Sequence, residues 1–172
     1  MDFFFDKTNF EIQKVENFLK IKAFKTSTDY VLYKLSSFIE VSCFEEKLSF
    51  TVKNKKKASV LKTQLSEIKN ILQGLQTPFL KKLIFKYHHF PVEIQVQQNE
   101  VILKNFFGGK KDRVFSFSKN VSITKLEENL LCFSCWNKTY LNSVCSNLIK
   151  QTSYLEKDVR IFQDGFYEYE EI

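Results

Sequence analysis

Glycine and proline are scarce in this chain of 172 residues: there are four of one and two of the other. Four scattered glycines leave no room for a glycine-rich phosphate loop or a dinucleotide-binding fingerprint. The two histidines, His88 and His89, are neighbours, no HExxH helix is present, and no serine or cysteine is tied by the sequence to a histidine. Those absences remove the common hydrolase and metalloprotease patterns. Four unevenly spaced cysteines do not outline a disulfide framework, and they read as reduced thiols of a cytosolic protein. No apolar run approaches the ~20 residues of a membrane span. The opening MDFFFDKTNFEI sets acids on both sides of a three-residue apolar core, which is unlike a secretory leader.

What is abundant is apolar surface. The chain is 44% hydrophobic with 19 Phe, enough to fold throughout. Its net charge of +6 favours a polyanionic partner without demanding one, because a modestly basic surface also keeps a protein soluble. The excess is spread over both halves, and neither is a basic tail.

Apolar residues alternate or cluster at strand length over 18–24, 29–35, 38–44 and 47–53, which predicts a small antiparallel sheet. Val60, Leu61, Leu65, Ile68, Leu72 and Leu75 then recur at three- and four-residue steps, the mark of one helical face. Gly74 and Pro78 signal its end. The second half repeats the order, with extended segments near 82–88, 92–98, 100–106, 113–118, 121–126 and 129–136. A helix is expected from Asn142 to about Ser153, capped by Asn142 or Ser143 and buried through Val144, Cys145, Leu148 and Ile149. The expected fold is therefore α+β: two similar small domains in tandem, 1–78 and 79–172, each an antiparallel sheet covered by one helix.

Several clusters invite a functional reading, each beside a plainer one. Lys104, Lys110, Lys111 and Arg113 flank Gly108 and Gly109; glycine amides approach phosphates closely while the side chains neutralise charge. The plain alternative is a hairpin turn with solvated lysines. Lys53, Lys55, Lys56 and Lys57 lie where a strand passes into a helix, either to meet a phosphate or as a solvated charge run. His88 and His89 face opposite ways on an extended strand, so one metal centre cannot easily use both. Packing or stacking on RNA suits them better. Cys132 and Cys135 form a lone CxxC on an apolar strand, where residues three apart diverge while zinc ligands must converge. No metal or other cofactor is expected. In EKDVRIFQDGFY, Lys157, Arg160, Asp164, Gly165 and Tyr167 either dock on their own domain or lie along RNA.

The motifs also carry a resemblance. HHFPVEIQV, the Asn105–Lys110 turn, the strand at Asn129–Cys135 and the ending Asp158-x-Arg160-x-Phe162-x-Asp164-Gly165-x-Tyr167 line up in order with one family. The chain resembles the archaeal and eukaryotic branch of the large-subunit ribosomal proteins called L-six in bacteria and L-nine in eukaryotes. The resemblance covers about two thirds of the chain and implies two tandem α+β domains. It implies a structural, non-enzymatic component of the large subunit, bound to large-subunit rRNA chiefly through the C-terminal domain. A position near the sarcin-ricin loop and the translation-factor site is also implied. The implied partners are rRNA, neighbouring large-subunit ribosomal proteins and, transiently, translation factors, with no membrane and no small-molecule substrate. The implied location is cytoplasmic ribosomes, with nucleolar assembly in a eukaryote.

Carried onto this sequence, the RNA-facing positions are Lys104, Asn105, Gly108, Lys110, Lys111 and Arg113, with Lys157, Arg160, Asp164, Gly165 and Tyr167. His88, His89 and Pro91 shape the adjacent surface. The family's early Val-Lys-Gly-Pro-x-Gly motif has no counterpart in IKAFKTSTDYVLYKL, and Gly109 stands where an acidic residue is common. These departures read as a compact eukaryotic version. The competing reading is a cytosolic, non-enzymatic protein-interaction module that offers a strand edge to a peptide.

Overall fold

A computed structural model of the chain describes residues 2–6, 8–24, 30–37, 39–43, 47–52, 58–88, 90–153, 158 and 160–170. Lys53, Lys55, Lys56, Lys57, His89 and Lys157 lie outside the described residues. The chain is α+β, rich in small antiparallel sheets, and divides into two compact units, Met1–Thr77 and Pro78–Ile172.

In the first unit the strands are β1 (Asp2–Phe4), β2 (Phe10–Val15), β3 (Phe18–Ala23), β4 (Val31–Lys34), β5 (Ile39–Cys43) and β6 (Lys47–Val52), followed by α1 (Ala58–Gln76). They form two sheets, β1-β6-β5 and β2-β3-β4, where the sequence suggested one. The difference has a physical cause: β2, β3 and β4 follow one another along the chain and, among the described residues, pair among themselves, while β1 pairs with the distant β6. Long-range pairing of that kind leaves no periodic trace. Alternation sets each buried face. Phe10, Ile12, Leu19, Ile21, Ile39, Val41, Leu48 and Phe50 point inward, and Leu61, Ile68, Leu72 and Leu75 of α1 join them. Each such side chain contributes roughly 1.5–3 kcal/mol by leaving water. The helix touches β3 and β6, one strand from each sheet.

The second unit contains β7 (Phe79–Lys86), β8 (Glu93–Gln97), β9 (Glu100–Lys104), β10 (Arg113–Ser116), β11 (Ser122–Lys125), β12 (Leu130–Cys135), α2 (Lys138–Thr152) and β13 (Gly165–Glu168). One sheet runs β11-β12-β7-β13 and the other β10-β9-β8. Numbered from its own start, this unit follows the strand order of the first, with β13 added on the free side of β7. A single core joins Leu83 and Phe85 of β7, Leu131 and Phe133 of β12, Ile94 of β8, Val101 and Leu103 of β9, and Leu141, Val144 and Leu148 of α2.

Helix α2 starts earlier than its pattern suggested. The cap is Asn137, not Asn142 or Ser143: its backbone is extended and its side chain accepts a 3.0 Å hydrogen bond from the Tyr140 amide. The early start adds the buried Leu141 to the apolar stripe, and such a cap stabilises a helix by about 1 kcal/mol. Strand β13 falls where the sequence showed only a mixed tail. Gly165 and Phe166 are buried while Tyr167 and Glu168 are exposed, so four residues without alternation gave no strand pattern to read.

Candidate nucleic-acid interface

The basic loop is a tightly wound turn between β9 and β10. Asn105 and Phe107 both adopt left-handed backbone (φ 58° and 53°), as does Gly108 (φ 68°). Asparagine tolerates that region, and glycine occupies it freely. A bulky Phe107 there costs roughly 1–3 kcal/mol. The winding is offset by burial of the Phe106 ring, which is only 3% exposed. The Asn105 side-chain amide donates to the Pro91 carbonyl at 2.9 Å. Gly108 is needed for space as well as for φ, since a Cβ on it would lie 3.3 Å from the Phe90 ring.

The two glycine amides were expected to approach phosphates. They are instead occupied: Gly108 donates to the Asn105 carbonyl and Gly109 to the Phe106 carbonyl, each at 3.1 Å. The glycines shape the turn, and the cations carry its charge. Lys110 and Lys111 are fully solvated. The Arg113 guanidinium lies 4.5 Å from the centre of the Phe106 ring, a cation–π contact that fixes its direction and adds about 0.5–1 kcal/mol. Lys104 is half-buried opposite Glu93 in the β8–β9 ladder, so part of its charge is already matched.

Behind the turn, rings from three segments meet. Phe85 packs edge-on against Phe106 at 6.0 Å and against Phe166 at 5.0 Å. The tail also ties directly to the HHFP segment, where the His88 amide donates to the Asp164 carboxylate at 2.9 Å. Thus 88, 90–91, 105–113 and 164–167 are tied together, though they lie far apart in sequence.

No family model matches the chain. Over 131 residues it is 31% identical to the large ribosomal subunit protein uL6 of Methanococcus vannielii, an alignment spanning 75% of this chain and 71% of the relative. This chain belongs to the uL6 family. The uL6 proteins of Methanosarcina mazei and Archaeoglobus fulgidus are 30% and 29% identical to it. Those alignments cover 66% and 82% of this chain, and 64% and 71% of the relatives.

Within this uL6 chain, two residues expected to face RNA are placed otherwise. Asp164 is 3% exposed and Gly165 is also buried. A carboxylate would in any case repel phosphate, and here it holds the His88 amide. Gly165 sits against the end of α2 with φ 148°, and a Cβ on it would lie 2.9 Å from the Thr152 carbonyl oxygen. The next amide, of Phe166, donates to the buried Thr152 hydroxyl at 3.2 Å. Gly165→Ala should therefore cost about 2–3 kcal/mol, through left-handed strain and overpacking. Urea unfolding followed by the fluorescence of Trp136, the one tryptophan, reads that loss directly.

Arg160 is 90% exposed, but its guanidinium folds onto Asp158 at 3.2 and 3.3 Å. The Arg160 amide and guanidinium together hold the Asp158 carboxyl below its usual range. A phosphate has to displace or share that carboxylate. Tyr167 keeps its hydroxyl on the Gln163 carbonyl at 2.9 Å and presents its ring beside the Lys86 ammonium, 5.6 Å away. Lys86 and the 45% exposed Phe90 belong to this surface and were missed in the sequence. The signal for Lys86 was its outward position in the alternation of β7. For Phe90 it was an aromatic residue set before a proline.

Cys135 and Cys145 are buried and poor nucleophiles. Burial pushes the Cys145 thiol up to about 11 and also raises Cys135, so both stay protonated at neutral pH. Among the described residues no cluster of three metal-ligating side chains occurs, and no helix is long and apolar enough to cross a membrane.

Proposed function

We propose that this chain is a structural, non-enzymatic constituent of the large ribosomal subunit, holding large-subunit rRNA through its second unit. The observation that carries the proposal is the tightly wound turn of a uL6 family member in which Lys110, Lys111 and Arg113 are all exposed. Phosphate contacts fix position and orientation, and the surface offers cations at fixed points with Tyr167 and Phe90 as ring faces for unpaired bases. Arg160, Lys157, His88 and the half-matched Lys104 extend the contact, while Asn105, Gly108, Asp164 and Gly165 support it from within. Lys53, Lys55, Lys56 and Lys57 are a second candidate contact in the first unit.

The two units are the family's tandem domains, 1–78 and 79–172. The recurrence of β1-β6-β5 and β2-β3-β4 as β7-β12-β11 and β8-β9-β10 supports a duplication. The family motifs at 88–96 and 105–110 support a place near the sarcin-ricin loop, beside neighbouring ribosomal proteins and within reach of translation factors. The protein then resides in cytoplasmic ribosomes, with nucleolar assembly if the cell is eukaryotic.

Sedimentation of a cell lysate on a sucrose gradient in moderate salt tests this. The chain is expected in the large-subunit and whole-ribosome fractions and should stay there through a salt wash. Recovery only at the top of the gradient would leave the uL6 fold without a ribosomal role.

A further inference from the structure

The outer face of the β2-β3-β4 sheet has no place in the interface described above. Along β3 the side chains of Leu19, Ile21 and Ala23 enter the core, so Phe18, Lys20 and Lys22 face out. Opposite Lys20 stand Gln13 on β2 and Leu32 on β4, and opposite Phe18 stands Lys34. Among the described residues the face therefore carries three lysines and a single acid, Glu11, which is paired in register with Lys22. Interleaved with the charges are large exposed apolar groups: Leu32 is 56% exposed, Tyr30 49% and Phe18 38%. The Lys20 ammonium lies 4.3 Å from the centre of the Tyr30 ring. A shallow depression of about 230 Å³ opens between that ring, Lys22 and Glu11.

We propose that this sheet face binds a single-stranded stretch of RNA, its bases on Tyr30 and Leu32 and its phosphates on Lys20, Lys22 and Lys34. The proposal rests on the rRNA-binding reading above and adds a second, separate contact. A solvated sheet face has no need of three exposed rings and aliphatic groups, and a protein-docking core is depleted in lysine. Lysines alternating with aromatic side chains on a flat sheet suit a strand whose bases are splayed and stacked. Lys20 and Lys22 are two residues apart, roughly 7 Å along the strand, close to the spacing of successive phosphates in an extended chain. The depression is smaller than the ~300–1,000 Å³ of small-molecule sites. It fits one planar ring.

The segment IKAFKTSTDYVLYKL contributes Lys22, Tyr30, Leu32 and Lys34 of the face, and Phe18 and Lys20 precede it.

Fluorescence anisotropy of the full chain with a labelled oligouridine tests the proposal in solution. Lys20→Glu with Lys22→Glu should weaken binding at least tenfold and lower the log–log salt slope by about 1.4, for two phosphates at ~0.7 each. Tyr30→Ala should weaken it roughly five- to fiftyfold through the loss of stacking. Lys62→Glu with Lys69→Glu, the same change of charge at exposed positions of α1, should leave this binding largely in place, which separates the sheet face from a general loss of positive charge. Unchanged oligouridine affinity in both first-unit variants, with circular dichroism showing intact folds, would overturn the proposal. A photo-crosslinking residue at position 32 in purified large subunits supplies the second reading. Crosslinks to rRNA support the proposal, and crosslinks to a protein overturn it. Absence of the chain from those subunits would count against the ribosomal role, leaving the oligouridine result to decide the sheet face by itself.

Discussion

Reversing the three exposed cations, Lys110→Glu, Lys111→Glu and Arg113→Glu, should remove the second unit's hold on rRNA while leaving the fold intact, so that the chain binds far more weakly. Each reversal turns an attraction of about 1 kcal/mol at 4 Å in water into an equal repulsion. That is at least tenfold per site and roughly a thousandfold for the three. The salt dependence should flatten as well, by nearly one log unit of slope for every phosphate that is no longer neutralised. Stability should hardly move, because Lys110 and Lys111 are solvated, and only the stacking of Arg113 on the Phe106 ring is forfeited. The check is a filter-binding titration against large-subunit rRNA at several salt concentrations, with a thermal melt of the same sample. Retained affinity in a folded triple variant would move the RNA contact away from this turn.

Phe85→Ala should damage the same function from the opposite direction, without touching a charge. Phe85 is 1% exposed and bridges the Phe106 and Phe166 rings, so its removal leaves a cavity beneath both the turn and β13. Phenylalanine-to-alanine changes in cores cost about 3–5 kcal/mol, and in a domain of this size that lowers the melting temperature on the order of 20 °C. Trp136 fluorescence confines the measurement to the second unit. Below the new transition the variant should still bind rRNA less tightly, because Arg113 rests on a ring that no longer has its neighbour. Phe85→Leu, which keeps most of the volume, should recover most of both losses. A stability change under 1 kcal/mol would mean that the rings do not brace the turn.

The parts legible in the sequence are those governed by local periodicity. The stripe from Leu61 to Leu75 announced α1, alternation announced β5 and β6, and a short apolar run announced β9. What was not legible depends on partners distant in the chain. β1 pairs with β6, and β13 with β7. The grouping of strands into two sheets per unit follows from the same long-range choice.

The interface divides along the same line. The glycines and lysines of 104–113 marked the turn correctly, because left-handed φ and exposed charge are local requirements. The side chain of Asp164 turns inward for the amide of His88, 76 residues away, and no nearby residue signals that. Arg160 shows the reverse failure. Its partner, Asp158, is two residues distant and visible, yet opposite charges at that spacing pair only when the backbone turns to bring them together, as the Arg160 amide bonded to Asp158 at 2.9 Å does here.

The tie between His88 and Asp164 also gives the interface a timetable. A ribosome making this chain releases the segment 88–113 well before residues 164–168 are synthesised. Until those residues arrive, β7 lacks its β13 neighbour, the His88 amide lacks its carboxylate, and the Phe85 ring has Phe106 beside it but not Phe166. The proposed gripping surface is complete only once residues 164–168 have been made, so a copy cut short before them has no finished handle with which to enter a growing subunit.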